Sequence, residues 1–135
     1  MKLARILLLL TFAMCFARAE VFEPKPGSPE RKAIMDAMRG PISKHVGKEV
    51  QFTGSVKISG TWARFEGNVA PKDGKPPKSE EAQGELELDF LALLRNDKGE
   101  WKVLFWAFAG DISAYEEAKK KYPQAPKDLM PDLPK

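Results

Sequence analysis

"EWKVLFWAFAGD", residues 100 to 111, decides how this chain folds. Strict two-residue alternation sends Trp101, Val103 and Phe105 to one side of a strand, and Leu104, Trp106 and Phe108 to the other. A half-buried strand is apolar on one side only. This stretch therefore predicts a strand that needs cover on both faces.

The neighbouring segments supply its partners. "ELELDFLALLR" (85–95) alternates Leu86, Leu88, Phe90, Ala92 and Leu94 against Glu85, Glu87 and Asp89, and the polar side turns apolar at Leu91 and Leu93. "NDKG" (96–99) is a hairpin turn in which Gly99 is free to take a positive φ. Upstream, "EVQFTGSVKISG" sets Val50, Phe52, Val56 and Ile58 against Gln51, Thr53, Ser55 and Lys57, with Gly54 as a bulge or bend. After a tight turn at Ser59-Gly60, "TWARFEGNVA" opposes Ala63, Phe65 and Val69 to Trp62, Arg64, Glu66 and Asn68. Two hairpins result. Between them, "PKDGKPPKSEEAQG" (71–84) carries three prolines and no apolar residue larger than Ala82, and it reads as a disordered, solvated loop.

Helices flank the strands. In "SPERKAIMDAMRG", Ser28 is an N-cap, Pro29 fits the first helical position, and Glu30 suits the positive end. Ala33, Ile34, Ala37 and Met38 form its apolar stripe, and Gly40 is placed to end it. "PISKHVG" predicts a second helical turn through Ile42 and Val46, beyond an elbow at Pro41. "DISAYEEAKKKYP" is helical, with Ser113 and Glu116 as a capping box and Tyr115, Ala118 and Tyr122 as its stripe.

These elements predict an α+β domain over 28–123. An N-terminal helix packs on a curved four-stranded antiparallel meander, followed by a short C-terminal helix. Residues 20–27 are a flexible, proline-bearing lead-in, and 124–135 a proline-rich tail. One face of 101–109 meets the core under the helix, while the other lies beside Leu91 and Leu93. Leaving Leu91, Leu93, Leu104, Trp106 and Phe108 wet would forgo about 1.5–3 kcal/mol each. It would also leave an apolar patch on the order of several hundred Å². The first candidate for cover is the chain itself, through Tyr115, Tyr122, Leu129 and Met130. A homodimer through the sheet face and a ligand-holding cleft are the other two.

The first nineteen residues stand apart. Lys2 and Arg5 precede the apolar run "ILLLLTFAMCFA", and Ala17-Arg18-Ala19 ends it with the small-x-small pattern of a cleaved secretory signal. The run falls short of the roughly 20 apolar residues a membrane span needs. Cys15 follows the bulky Met14, unlike a lipoprotein cysteine, and leaves with the signal. The expected location is periplasmic or secreted. The remaining 116 residues then have no cysteine and must be held by burial, although disulfides are common in small exported domains. Of the 22 Lys+Arg, 19 remain, against 19 Asp+Glu. A neutral chain lacks the cationic face a nucleic-acid binder needs. "KKK" at 119–121 is the solvated last turn of a helix.

At the level of pattern, "PGSPERKAIMDAMR", "GTWARFEG" and "ALLRNDKGEWKVLFWAFAGDISAY" resemble a family of small exported bacterial proteins to which no activity is attached. Their architecture is similar to the cystatin-like or NTF2-like class, and the resemblance covers most of 26–123. It implies fold and export and carries no catalytic residues. Function has to be argued from a site.

Chemical motifs are sparse. His45, the only histidine, sits in "SKHVGKE" and reads as a surface residue near a helix end. No His/Cys set has zinc spacing, no nucleophile elbow or phosphate-cradling loop occurs, and no cofactor is expected. Glu85, Glu87 and Asp89 on one strand face would pair with Arg64 or Lys57 across the sheet. One ligand-binding constellation is predicted. Trp62, Arg64 and Asp89 on the outward sheet face join Trp106 on the next strand and Asp111 at its end, an indole wall with a cation and carboxylates. The competing reading makes Trp106 core, pairs Arg64 with a neighbouring carboxylate, and gives Asp111 a capping role. The expected function is a non-enzymatic exported binding or accessory protein with an unknown protein or small-molecule partner. The alternatives are a small NTF2-like enzyme using Asp89 or Asp111 as a base, and an inhibitor or immunity protein presenting the aromatic sheet face.

Overall fold

The computed structural model describes residues 20–109 and 113–130. The proposed signal with Cys15, the site candidate Asp111 and residues 131–135 lie outside the described residues. Helix α1 spans Pro29–Val46, followed by strands β1 (Val50–Ser59) and β2 (Trp62–Pro71), helix α2 (Glu80–Leu86), strands β3 (Phe90–Asp97) and β4 (Glu100–Phe108), and helix α3 (Ser113–Lys121). The strands form one antiparallel sheet in the order β1-β2-β3-β4, so the fold is an α+β meander.

A surplus residue resolves the two-faced strand. Leu93 pairs with Phe105 and Leu94 with Val103, leaving Leu104 unpaired in a β-bulge. The bulge shifts the alternation by one. Trp101 and Val103 share a face with Trp106 and Phe108, under α1, while Leu104, Phe105 and Ala107 lie on the other face. The uninterrupted alternation predicted from the sequence is corrected here, and with it the position of Trp106.

Each face has its own core. Ile34, Met38, Ile42 and Val46, spaced four apart along α1, pack on Val50, Val56, Ile58, Phe65, Phe90, Ala92 and Leu94. Ala33, expected in that stripe, is exposed. The helix does not stop at Gly40 but runs through Pro41 to a left-handed cap at Gly47. The residue before a proline resists helical geometry because its Cβ crowds the proline ring, and Gly40 has none. Burying Ile42 and Val46 in line with Ile34 and Met38 favours one helix over two. On the second face, Trp62, Leu91, Leu93 and Phe105 are covered by Ala114, Tyr115 and Ala118 of α3 and by Leu129 and Met130 beyond it. The chain's own C-terminal segment is the cover.

Three local features differ from expectation. Residues 80–86 are helical, with the Ser79 hydroxyl accepting the Ala82 N–H, so "ELELD" is not strand and β3 begins at Phe90. Short-range capping and the burial of Ala82 and Leu86 override the apparent two-residue period. The segment before it is tied down: Lys48 bonds Asp73 and the Lys75 carbonyl. That bond from Lys48, helped by the Lys75 N–H, holds the Asp73 carboxyl below its usual range. Finally, Gly54 is no bulge. It pairs in register with Gly67, and a Cβ built on either would stand 2.7 Å from the other's Cα. The two glycines let β1 and β2 approach closely.

The turns follow the sequence. Lys98 and Gly99 carry φ of 53° and 88° between β3 and β4, the positive pair of a two-residue hairpin. The outer rim of β1 is dressed at three points: Ile58 exchanges two 2.9 Å backbone bonds with Phe22, Arg31 donates to the Gly54 carbonyl, and Ser43 accepts the Val50 N–H.

Candidate functional site

Of the predicted constellation, Asp111 lies outside the described residues, and Trp62, Arg64, Asp89 and Trp106 are not brought together. Trp62 and Arg64 are on the second face as expected, yet both are buried beneath α3. Trp106 is on the opposite face, because of the Leu104 bulge. Asp89 is exposed just before β3, where its carbonyl accepts the Ala109 N–H. The row of Glu85, Glu87 and Asp89 is likewise dissolved, with Glu85 in α2 and the other two beyond it.

Arg64 closes the second face. Its Nη1 donates to the Tyr115 hydroxyl and to the Leu129 carbonyl, and its guanidinium lies 5.4 Å from the Tyr115 ring centre. The Glu66 carboxylate stands 3.8 Å from Nη2. Burial pushes the Tyr115 phenol up to about 12, outweighing the lowering pull of Arg64. Nearby, Tyr122 donates to the Leu104 carbonyl at 3.0 Å, capping the bulge. A buried cation satisfied by a phenol and a main-chain carbonyl binds α3 and the tail to the sheet. Its chemistry is structural.

The reactive-looking groups are on the α1 side, where sequence reasoning did not place them. His45, in the last turn of α1, directs Nε2 at both oxygens of Glu85 in α2, at 2.8 and 3.0 Å. A carboxylate only accepts, so the imidazole N–H donates. The ring stands edge-on to Trp106, with centroids 4.7 Å apart, and is stacked on Phe108 at 6.0 Å. Phe90 continues the aromatic run, 5.0 Å from Phe108 and 5.9 Å from the half-buried Phe52. The His45 and Glu85 side chains are 36% and 24% exposed, so solvent reaches the pair. A hydrogen-bonding imidazole thus stands at the open end of a partly buried aromatic layer.

His45 and Glu85 are 40 residues apart, in segments read as a surface turn and a strand, and no spacing rule joins them. The available signal was the lone histidine one turn past Ile42 on a helix that packs over the greasiest strand. Among the described residues, no group of three or more His, Cys, Asp or Glu could hold a metal ion. None of their helices is long and apolar enough to cross a membrane. No family model, characterised protein or solved structure matches the chain.

Proposed function

We propose that this chain is a small exported binding or accessory protein that works in the periplasm without a catalytic step. Its site is the aromatic layer of Trp106 and Phe108 with His45 and Glu85 at the rim. The observation that carries the reading is His45 itself, held at 2.8 Å by Glu85 against two half-buried rings and still open to solvent. Small-molecule sites usually combine aromatic or apolar walls with a few oriented polar groups. The leader-like residues 1–19 support export. A helix laid across an antiparallel sheet with a close glycine pair and a bulge supports the cystatin-like or NTF2-like placement.

The enzymatic alternative shifts from Asp89, which is exposed, to the His45–Glu85 pair. A carboxylate that orients an imidazole meets one geometric need of a general base. One experiment separates the readings. The full chain is expressed in a bacterial host and the processed protein is recovered from the periplasm. Its intact mass tests cleavage after Ala19. Its amide and indole resonances are then followed against a library of small aromatic and aliphatic fragments. Shifts gathered at His45, Trp106 and Phe108, absent in Trp106→Ala, with the fragments recovered unchanged, support a binder. Chemical conversion of a fragment that stops in His45→Gln supports the enzyme. Shifts scattered over the surface, or none, would end both.

A further inference from the structure

We infer that the ligand of this site is an aromatic carboxylate, and that Glu85 is its stand-in within the chain. The inference rests on the binding-protein reading above and specifies the class of molecule bound.

The imidazole of His45 already holds a carboxylate through both oxygens, with Trp106 and Phe108 beside it. A site that accepts one carboxylate in this geometry accepts another, provided the first can leave. Hydrogen bonds to an ionised carboxylate are charge-assisted and stronger than neutral ones. Lys44, in the same last turn, adds positive charge that favours an incoming anion.

To withdraw, Glu85 need only swing its side chain, which is 24% exposed, out into solvent. It rides on a helix of seven residues that packs on the core through Leu86 and follows a segment containing Gly74, Pro76 and Pro77. A shallow cleft of about 280 Å³ lies along α2, lined by Pro71, Pro76, Pro77, Gln83 and Leu86, on a side that does not include His45. When Glu85 leaves, the incoming carboxylate takes the His45 N–H. The ligand's ring then lies along the half-buried indole of Trp106, where offset or edge-on aromatic contacts are favourable.

The same chemistry is offered by a free aromatic acid and by a peptide ending in phenylalanine. Three probes test the proposal against the processed full chain: phenylacetate, the tripeptide Gly-Gly-Phe, and the neutral phenylacetamide. Titrations are read at the Trp106 indole N–H, assigned with Trp106→Phe. Phenylacetate or the tripeptide should bind at least tenfold more tightly than phenylacetamide, and the tighter of the two identifies the source. Glu85→Ala removes the internal competitor and should tighten carboxylate binding several-fold, since a ligand's apparent affinity scales with the open fraction of its site. His45→Gln should abolish the preference for the carboxylate over the amide. Equal binding of phenylacetate and phenylacetamide at Trp106 overturns the inference and leaves the binding-protein reading standing. So does an unchanged or weakened carboxylate affinity in Glu85→Ala with α2 amides still dispersed. No response from any probe at Trp106 defeats the inference, and the fragment library then decides the broader reading.

Discussion

Arg64 donates to the hydroxyl of Tyr115 across the interface between β2 and α3, so a buried cation and a buried phenol satisfy each other. Their union makes stability depend on pH in the alkaline range. The Tyr115 phenol ionises near 10 in an unfolded chain and is pushed up to about 12 in the folded one. Between these values the unfolded state has released a proton that the folded state retains. Stability present below pH 10 is therefore lost as pH rises toward 12, by about 2–3 kcal/mol. Urea denaturation at pH 9, 10.5 and 12 should show this decline. Tyr115→Phe should flatten it, at a cost of about 1.5–3 kcal/mol at neutral pH for the lost hydrogen bond to a buried cation.

The facing pair Gly54 and Gly67 forbids side chains. A Cβ on Gly54 would stand 2.1 Å from the Glu66 carbonyl oxygen. Gly54→Ala should lower stability by about 1–3 kcal/mol through forced separation of β1 and β2. Gly84 in α2 has nothing within 4 Å of its own added Cβ. Gly84→Ala should act with the opposite sign, gaining about 0.5–1 kcal/mol of helix propensity. Thermal midpoints of the two variants moving in the same direction would contradict this account.

Deleting Leu104 should cost little more than truncating it. Leu104 is the surplus residue of the bulge, so without it the strand alternates regularly, with Val103 still opposite Leu94, Phe105 opposite Leu93, and Trp106 and Phe108 on the α1 face. We expect the deletion to keep a cooperative urea transition and dispersed amides, and loss of either would contradict the assigned register. Leu104→Ala, which keeps the bulge and loses part of a half-buried side chain, should cost only about 1 kcal/mol.

Ending the chain after Gln124 should remove the lid of the second core. Leu129 and Met130 are 0% and 2% exposed. Burial of two such side chains is worth about 3–6 kcal/mol, a large part of the 5–15 kcal/mol typical of a small domain. The truncated protein should show a lower urea midpoint and new binding of a hydrophobic dye. An unchanged midpoint would mean that the tail packs without stabilising.

Much of this fold can be read directly from residue chemistry. Ser28 and Pro29 mark the start of α1, Lys98-Gly99 the hairpin, and Tyr115, Leu129 and Met130 the cover of the second face. What could not be read has a common cause. Alternation reports side-chain direction only while no residue is skipped, and Leu104 skips one without leaving a trace in composition. "ELELD" alternates as well as a true strand, and only Ser79 with the burial of Ala82 tips it to helix. Gly40-Pro41 looks like a break until the line from Ile34 to Val46 is laid on a sheet. The candidate site suffered most. Trp106 was assigned to the wrong face by the bulge, and the meeting of His45 with Glu85 depends on a helix that the local pattern concealed.

The rim of β1 has a consequence for life in a crowded compartment. An edge strand with free main-chain groups invites other chains to add to it and start a fibre. Here Phe22 engages two of those groups and Arg31 and Ser43 one each, so a foreign strand would have to evict three partners in turn. A protein with no disulfide to lock it is thus guarded against runaway polymerisation by a few polar contacts along one border.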